Sequence, residues 1–239
     1  MPTKTAGKSL ADNQLFASID PDDLKLIEAR CQWWHLAAGE QIIDRESDNR
    51  DVYFVIEGAV RVVNYSSTGR EVAYAITEAG SYFGELAAID GKRRSASVVA
   101  VTDCLLASFP PGIFLKLLVK HPSVSMLVLQ RLTDMVRVSN DRIMDLSTLK
   151  AVQRVCVELL RLTKPDAAVR DIWVIRPMLS HSDIASRAST TRETVARVLG
   201  QLSSKGIVER KHKALYIRDK GQLENLSARV EERGKPSEE

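Results

Sequence analysis

Cysteine and histidine are both scarce in this chain, which contains three cysteines and four histidines among 239 residues. The cysteines, Cys31, Cys104 and Cys156, are odd in number and far apart in sequence. This arrangement matches neither a disulfide framework nor a metal or iron–sulfur pattern. We therefore predict three reduced thiols and no metal site.

Long apolar runs are missing as well. No stretch approaches the roughly 18 apolar residues that a membrane span requires. The first residues carry Lys4 and Lys8 without the apolar segment of a signal peptide. We therefore expect a cytoplasmic protein that is not bound to a membrane. The sequence also shows no nucleophile–base pair and no metal constellation, which argues against an enzyme.

The net charge of +3 is distributed unevenly along the chain. Residues 1–150 contain 17 basic and 19 acidic side chains, whereas residues 151–225 contain 14 basic and 8 acidic ones. A basic block confined to one segment suits a surface that faces phosphates. Taken alone, the same block would equally suit a solvated helical face.

Short β-rich runs separated by turn residues dominate the chain between Trp33 and Pro110. Before them we expect short helices, one of which begins at Asp20-Pro21. Several short strands at this spacing predict a sandwich or a barrel. The predicted strands are Gln41–Asp44, Val52–Glu57, Ala59–Tyr65, Val72–Thr77, Ser95–Thr102 and Leu105–Phe109.

The region Ile113–Leu149 is predicted to be helical, and Pro122 lies early enough in it to open a long helix as the first residue. An apolar seam with spacings of three and four residues runs along this helix, which is the heptad pattern of two helices that share a buried stripe. The alternative is that this face packs on its own domain. Ser139 interrupts the seam and would need a hydrogen-bonding partner if buried. The predicted dimer interface consists of Leu129, Leu132, Val136, Ile143 and Leu146.

The segment between Tyr82 and Val98 has the chemistry of a nucleotide site. Gly84 permits a close turn, and the residues after it can start a helical turn whose free N–H groups bind an anion. Arg94 can supply a bidentate fork to a phosphate. The Glu85 carboxylate would be repelled by that phosphate but could accept a hydrogen bond from a sugar hydroxyl. The alternative is a surface glycine turn beside a basic loop.

A helix-turn-helix is predicted after a helix over Val152–Leu162 and a strand over Ile172–Ile175. Its first helix begins at a capping box, Ser180-x-x-Asp183, and its second helix follows a turn at Ala188–Thr190. Two arginines on that second helix can each donate a pair of hydrogen bonds to guanine, and a glutamate can accept a hydrogen bond from cytosine. The predicted DNA-contacting residues are Ser180, His181, Thr191, Arg192, Glu193, Thr194 and Arg197. Short strands are expected at Ile207–Arg210 and Leu215–Arg218.

These motifs resemble those of the cAMP receptor protein/FNR family over roughly residues 14–218. Phe83-Gly84-Glu85-Leu86 and Arg94-Ser95-Ala96 resemble its phosphate-binding cassette, and the run from Thr191 to Arg197 resembles its recognition helix. The resemblance implies an α+β protein with a cyclic-nucleotide-binding β-barrel (jelly roll), a long dimerisation helix and a winged helix-turn-helix. The implied domains are 1–120 for the barrel, 121–150 for the helix and hinge, 151–225 for DNA binding and 226–239 for a polar tail.

The resemblance also implies a ligand, cAMP and/or cGMP, bound without metal, haem or iron–sulfur cluster. Arg94 and Ser95 would hold the cyclic phosphate and Glu85 the ribose 2′-hydroxyl, with Gly84 and Leu86 lining the pocket. An ungapped alignment places Ser139 and Asn140 at the two polar positions that reach the purine, one from each subunit. The family commonly has Thr-Ser there, so the base preference is open.

The function implied by the resemblance is that of a homodimeric transcription regulator. It would bind palindromic double-stranded DNA with TGTGA-like half-sites and contact RNA polymerase. One alternative is a family regulator with a different ligand or none, which binds DNA without a nucleotide. Another is the regulatory subunit of an enzyme, against which the complete recognition helix argues.

The apolar seam generates the first testable prediction. Val136→Glu should convert a dimer to a monomer, because it places a charge in a stripe that two helices would share. Sedimentation of the wild type and the variant measures the change. A variant that remains dimeric would contradict the proposed interface.

Overall fold

The computed structural model describes residues 9–65, 71–166 and 172–228. The chain divides into two compact units, Met1–Val136 and Arg137–Glu239. The mixed α+β class predicted from sequence is confirmed. Of the predicted polar tail, residues 229–239 lie outside the described residues.

The first unit begins with short helices, as predicted. Two 3-10 helices, Leu10–Asp12 and Gln14–Phe16, precede helix α1 over Pro21–Glu28. The Asp20 carboxylate accepts a hydrogen bond from the Asp22 N–H at 2.9 Å, and a proline fills the first turn. Both features satisfy the free N–H groups of a helix start, so the sequence signal for α1 is confirmed.

Two antiparallel sheets, each of four strands in the described residues, make up the body of this unit. One has the order β1-β8-β3-β6 and the other the order β2-β7-β4-β5. The predicted bounds of β3 and β4 are confirmed, whereas β1 and β6 were not predicted. The strands are β1 Gln32–Leu36, β2 Gln41–Ile43, β3 Val52–Glu57, β4 Ala59–Tyr65, β5 Glu71–Glu78, β6 Tyr82–Phe83, β7 Ser97–Ala100 and β8 Cys104–Phe109.

Strand β3 is buried on both faces, which explains its unbroken apolar run. Phe54 points into a cluster with helix residues, where its ring centroid lies 5.0 Å from that of Phe16 and 4.9 Å from that of Phe109. Tyr53, its neighbour, faces the other cluster, where its ring stacks on Phe83 at 5.2 Å. Successive residues of a strand point to opposite faces, so one strand serves two apolar clusters.

Three helices follow in the chain: α2 Glu85–Asp90, α3 Pro111–Lys120 and α4 Pro122–Thr148. Helix α4 begins at the proline that was predicted to open it, and it contains the boundary between the two units. Among the described residues, no single helix is long and apolar enough to cross a bilayer; only α3 and α4 together, as a bent pair, reach that length and composition.

The predicted interface residues of the α4 seam differ in how exposed they are. Leu132 is half-buried and packs against the core of the first unit. The other predicted interface residues are exposed, with 56% of Leu129, 60% of Val136, 61% of Ile143 and 51% of Leu146 accessible in this single chain. Most of the seam is therefore available to a second copy, whereas Leu132 is used in part by its own unit.

The second unit combines helices with an antiparallel sheet of order β11-β12-β10-β9. The helix-turn-helix and both strands of the following hairpin occur where the sequence predicted them. Strand β9 and helix α8 were not predicted. The elements are α5 Ala151–Leu162, β9 Lys164–Pro165, β10 Trp173–Ile175, α6 His181–Arg187, α7 Arg192–Ser204, β11 Val208–Lys211, β12 Ala214–Ile217 and α8 Lys220–Ser227.

Candidate functional site

A cavity of about 160 Å³ lies in the first unit, between the sheet β2-β7-β4-β5 and the residues around α2. Two residues of α4, Arg131 and Met135, also line it. The cavity brings together five of the residues that the sequence assigned to a nucleotide, namely Gly84, Glu85, Leu86, Arg94 and Ser95. The cassette therefore forms one concave site with a charged lining.

Gly84 occupies a position that only glycine fits. Its φ is +87°, in the left-handed region that residues with a side chain rarely adopt. A Cβ atom there would lie 2.7 Å from Nη1 of Arg94 and 2.8 Å from the carbonyl oxygen of Asp51. Gly84 thus allows the Arg94 guanidinium to approach the backbone closely.

The Arg94 side chain is held by oxygen atoms of its own chain. Nη1 donates to the Gly84 carbonyl at 3.0 Å, and Nη2 donates to Asn49 Oδ1 at 2.9 Å and to the Asp51 carbonyl at 2.8 Å. Nε is buried and has no partner among the described residues. Arg94 is only 5% exposed, and burial lowers its pKa, while coulombic interactions with Tyr53, Asp51 and Glu85 raise it. An arginine stays charged under such conditions.

The charge of Arg94 has no ion-pair partner among the described residues. All of the described hydrogen bonds of Arg94 go to neutral oxygens, which replace lost hydration but do not pair its charge. The Arg94 residue lines the cavity, and its guanidinium keeps two donors without a described partner, Nε–H and one N–H of Nη1. The chemistry of this wall suits an anionic group of a ligand.

Glu85 supplies a carboxyl group to the same cavity. It is 4% exposed, and burial raises the pKa of its carboxyl group, while Arg131, its own backbone N–H and Arg94 lower it in that order. Glu85 and Arg94 line the cavity together without forming a salt bridge among the described contacts. A carboxylate and a cation that are not paired can each take a different group of one ligand.

Arg131 is a cavity residue that the sequence reasoning did not identify. Its Nη2 donates to the Tyr82 carbonyl at 2.6 Å, and its guanidinium lies 4.2 Å from the centroid of the Tyr82 ring. The available signal was the spacing of Arg131 and Met135, since residues four apart share one face of a helix. The predicted purine-contacting residues Ser139 and Asn140 are exposed on α4 and are not among the residues that line the cavity in this chain. Their contribution from a second subunit stays a prediction.

The helix-turn-helix is fixed by caps at both of its helices. The Asp183 N–H donates to Ser180 Oγ at 3.1 Å, and the Ser180 N–H donates to Asp183 Oδ2 at 3.2 Å, which confirms the predicted capping box. At the second helix, the Thr194 N–H donates to Thr191 Oγ1 at 3.2 Å. Ser189 turns the chain between the helices with a φ of +49°.

Arg154 on α5 ties this turn to the rest of the unit. Its guanidinium donates to the carbonyl oxygens of Ala188 at 3.0 Å, Ser189 at 3.1 Å and Leu149 at 2.8 Å. Each carbonyl would otherwise lack a helical partner at a chain reversal. The sequence reasoning did not assign this role to Arg154, because two of the partners, Ala188 and Ser189, lie more than 30 residues away.

Helix α7 presents a polar face to solvent and an apolar face to the core. Arg192, Glu193 and Arg197 are exposed. The Glu193 backbone N–H and Thr191 lower the pKa of the Glu193 carboxyl, so this group is ionised. The side chains on the opposite face form part of the core; they are Val195, Val198, Leu199 and Leu202. Of the other predicted DNA-contacting residues, Ser180 and Thr191 are exposed, and His181 and Thr194 are half-buried.

The hairpin β11–β12 adds a second basic surface that the sequence reasoning missed. His212 and Lys213 form its turn with φ values of +48° and +56°, which is typical of a tight hairpin. Arg210 and Lys211 precede the turn, and all four side chains are exposed. Four basic-type residues in a row were a local signal for this surface.

Comparison with known proteins matched two family models. Residues 33–121 match the cyclic nucleotide-binding domain, and residues 153–226 match the Crp-like helix-turn-helix domain. The cyclic AMP receptor protein of Thermus thermophilus is 29% identical over 213 residues, which are 89% of this chain and 96% of that protein. The solved structure of a CooA mutant from Carboxydothermus hydrogenoformans shares the fold, with a TM-score of 0.77 at 21% identity over 95% of this chain and 98% of that one.

A further similar structure is that of the c-di-GMP responsive global regulator CLP of Xanthomonas campestris. It has a TM-score of 0.64 at 19% identity and covers 83% of this chain and 99% of its own. At this identity the similarity concerns the fold alone.

The close approach at Gly84 generates the second prediction. Gly84→Ala should destabilise the protein more than Gly91→Ala, because both residues have left-handed φ values but only at Gly84 would the new Cβ meet other atoms. We expect about 1–2 kcal/mol from backbone strain in either variant. The collision with Arg94 and Asp51 should add about 1–3 kcal/mol for Gly84→Ala. Denaturant unfolding of the two variants measures the difference, and equal losses would contradict it.

Proposed function

This chain belongs to the cAMP receptor protein/FNR family of transcription regulators, and from that membership we propose that it is a cytoplasmic homodimer whose binding to DNA is controlled by a cyclic nucleotide. The observation that carries the proposal is the buried Arg94 cation, which faces the cavity without an ion-pair partner among the described residues. The family consists of regulators rather than enzymes, and we propose no catalytic activity.

The ligand that best suits the cavity is a cyclic nucleotide, cAMP and/or cGMP. Arg94 would donate to the cyclic phosphate, and Ser95, exposed at the cavity wall, would add its hydroxyl. Glu85 would accept a hydrogen bond from the ribose 2′-hydroxyl, while Gly84 and Leu86 line the pocket. Ser139 and Asn140 would reach the base across the dimer formed by the α4 seam. An asparagine amide offers both a donor and an acceptor, so neither adenine nor guanine is rejected outright.

A second candidate is a regulator of the same family that responds to another ligand or to none. The observation in its favour is that Arg94 already donates three hydrogen bonds to its own chain. A similar structure also belongs to a c-di-GMP responsive regulator. Nucleotide titration distinguishes the two candidates.

For DNA, we propose that α7 enters the major groove of each half of a palindromic site. Arg192 and Arg197 would each donate two hydrogen bonds to a guanine, and Glu193 would accept a hydrogen bond from a cytosine. These contacts suit TGTGA-like half-sites. Ser180, His181, Thr191 and Thr194 would contact phosphates. The exposed basic turn around Lys213 would add phosphate contacts, which carry affinity but no sequence information. RNA polymerase is the further partner that family membership suggests.

The third prediction tests nucleotide capture. Calorimetry should detect binding of both cAMP and cGMP to the wild type, with dissociation constants within about a hundredfold, or roughly 2.7 kcal/mol. Arg94→Leu should abolish detectable binding, because the buried site loses the charge-assisted hydrogen bonds that the guanidinium would donate to the phosphate. Arg93→Leu is the matched control, since the neighbouring Arg93 side chain is 72% exposed and should not matter.

Circular dichroism would show that both variants are folded. A wild type that binds neither nucleotide would favour the second candidate, whereas failure of one nucleotide alone would contradict only the hundredfold limit. Unchanged affinity in Arg94→Leu would exclude the cavity as the phosphate site.

The fourth prediction tests DNA reading. Arg192→Ala should lose about 1–3 kcal/mol of affinity and relax selection at one base pair of each half-site. Lys213→Ala should weaken binding to all sequences alike. It should also reduce by about one the slope of the logarithm of affinity against the logarithm of salt concentration. Selection from random DNA, followed by titration at several salt concentrations, measures both effects. Recovery of sites without an inverted repeat about one helical turn apart would refute the proposed mode of binding.

A further inference from the structure

A second cavity of the first unit, with a volume of about 250 Å³, lies between helices α1 and α3. Its lining comes from α1 and from Arg30 after it on one side, and from α3 and His121 after it on the other. Among the described residues, none lines both this α1–α3 cavity and the cavity that contains Arg94. The proposed function therefore leaves this larger space without a role.

The inner surface of the α1–α3 cavity is apolar. Ile27 and Ile113 are half-buried and pack against the core cluster to which Leu117 belongs. Leu26 also lines the cavity, although this residue is 66% exposed to solvent. A ligand with an apolar body would remove this surface from water, which favours binding.

Basic side chains predominate among the polar residues of the same cavity. They are Arg30, Lys116, Lys120 and His121, and Asp23 is the one acidic residue of the described lining. Oδ2 of Asp23 accepts a hydrogen bond from Nζ of Lys120 at 2.7 Å and lies 3.9 Å from Nε2 of His121. The hydrogen bond from Lys120 lowers the pKa of the Asp23 carboxyl, so these two groups form an ion pair at neutral pH.

Arg30 and Lys116 are the lysine and arginine of the lining that remain. Both residues are exposed, and neither side chain has a hydrogen bond or an ion pair with another described residue. A guanidinium presents its donors in a planar fork that matches a carboxylate, and an ammonium adds a second point charge. Two cations without described partners beside an apolar surface favour a ligand that combines an anionic group with an apolar body.

We propose that the α1–α3 cavity binds an amphipathic carboxylate with an aliphatic body, as a second ligand that is independent of the nucleotide. Arg30 and Lys116 would donate to the carboxylate, and the aliphatic body would cover Leu26 and the apolar surface beside it. The inference goes beyond the proposed function, because the lining contains no residue assigned to the nucleotide or to DNA.

The salt bridge between Asp23 and Lys120 supports this assignment. It joins α1 to α3 at the cavity, so the spacing of the two helices is restrained before a ligand arrives. A site that is formed in advance loses less conformational freedom on binding. The ionised Asp23 would also repel an anion and so direct the carboxylate toward Arg30 and Lys116.

The alternative is that Arg30 and Lys116 are solvated surface charges and that the cavity is a gap between two helices. Weak adsorption to such a surface would not depend on the charge and the chain length of the ligand together. Ligands that differ in only one of these two properties therefore separate the two interpretations.

Calorimetry on the full chain tests the ligand class with three probes, octanoate, butyrate and octanamide. One octanoate should bind per chain. Butyrate should bind at least about tenfold more weakly, because each buried methylene group contributes about fourfold to affinity. Octanamide should also bind at least about tenfold more weakly, because it has no charge. Equal affinities of octanoate and octanamide, or no saturable binding of octanoate, would overturn the proposal.

Variants of exposed residues test the cations without disturbing the core. Lys116→Glu and Arg30→Gln should each weaken octanoate binding by at least about tenfold. Lys205→Glu is the matched control, since this exposed lysine after α7 belongs to the second unit and gives the same change of net charge. Thermal unfolding shows that each variant is folded. Wild-type octanoate affinity in folded Lys116→Glu and Arg30→Gln would contradict the proposed site.

The position of the ligand is tested independently of the proposed function. Octanoate should shift the NMR signals of the His121 imidazole, which are identified by their loss in His121→Gln. Arg94→Leu should leave the octanoate affinity unchanged, because Arg94 lines the other cavity. Loss of octanoate binding in Arg94→Leu would place the ligand there and overturn the inference. Octanoate binding with the expected variant effects, in a protein that binds no cyclic nucleotide, would support the inference and reject only the proposed function.

Discussion

The guanidinium of Arg94 is the interaction on which the first unit's cavity depends. Its three hydrogen bonds reach Gly84, Asn49 and Asp51, and so join the turn before α2 to the loop before β3. The bond to Gly84 requires an approach that a Cβ atom would block. A buried cation needs such oxygens to offset its lost hydration, yet neutral oxygens do not cancel its charge. The cavity wall therefore carries a positive charge that suits an anionic group.

The second feature of the cavity is that its charges do not neutralise one another. Glu85 and Arg94 line the same space without a salt bridge among the described contacts, and Arg131 is engaged by Tyr82. Mutual pairing would satisfy these groups but would remove the polarity that a ligand can use. Backbone carbonyls, the Asn49 side chain and an aromatic ring hold the two arginines, and no described hydrogen bond or salt bridge joins either arginine to Glu85.

The second unit uses its charges in two separate ways. Arg154 stabilises the turn of the helix-turn-helix through three carbonyl oxygens, and Arg187 lies 3.4 Å from the buried Glu158. Burial raises the pKa of Glu158, and Arg187, Arg142 and Arg161 lower it. Arg154 and Arg187 thus bind groups inside the unit, whereas Arg192 and Arg197 of α7 are exposed. A rigid support with a free polar face is what sequence-specific contact with DNA requires.

The sequence by itself determined the features that rest on neighbouring residues. The caps at Asp20 and Ser180, strands β3 and β4 and the opening of α4 at Pro122 all follow from local patterns, and the structure has them there. The residues of the cassette, from Gly84 to Ser95, could also be recognised from the sequence, since they lie within twelve positions of one another. Only the tertiary structure decided which distant groups complete the site.

Asn49 and Asp51 meet Arg94 across more than 40 residues, and Arg131 meets Tyr82 across 49. The same limit applies to the seam of α4, where the heptad spacing predicted one stripe but could not show that Leu132 packs in part on its own unit. Local patterns reflect the geometry of one element, whereas such pairs depend on how the strands are ordered and where the helices pack. That order is a property of the whole fold and is not encoded at any single position.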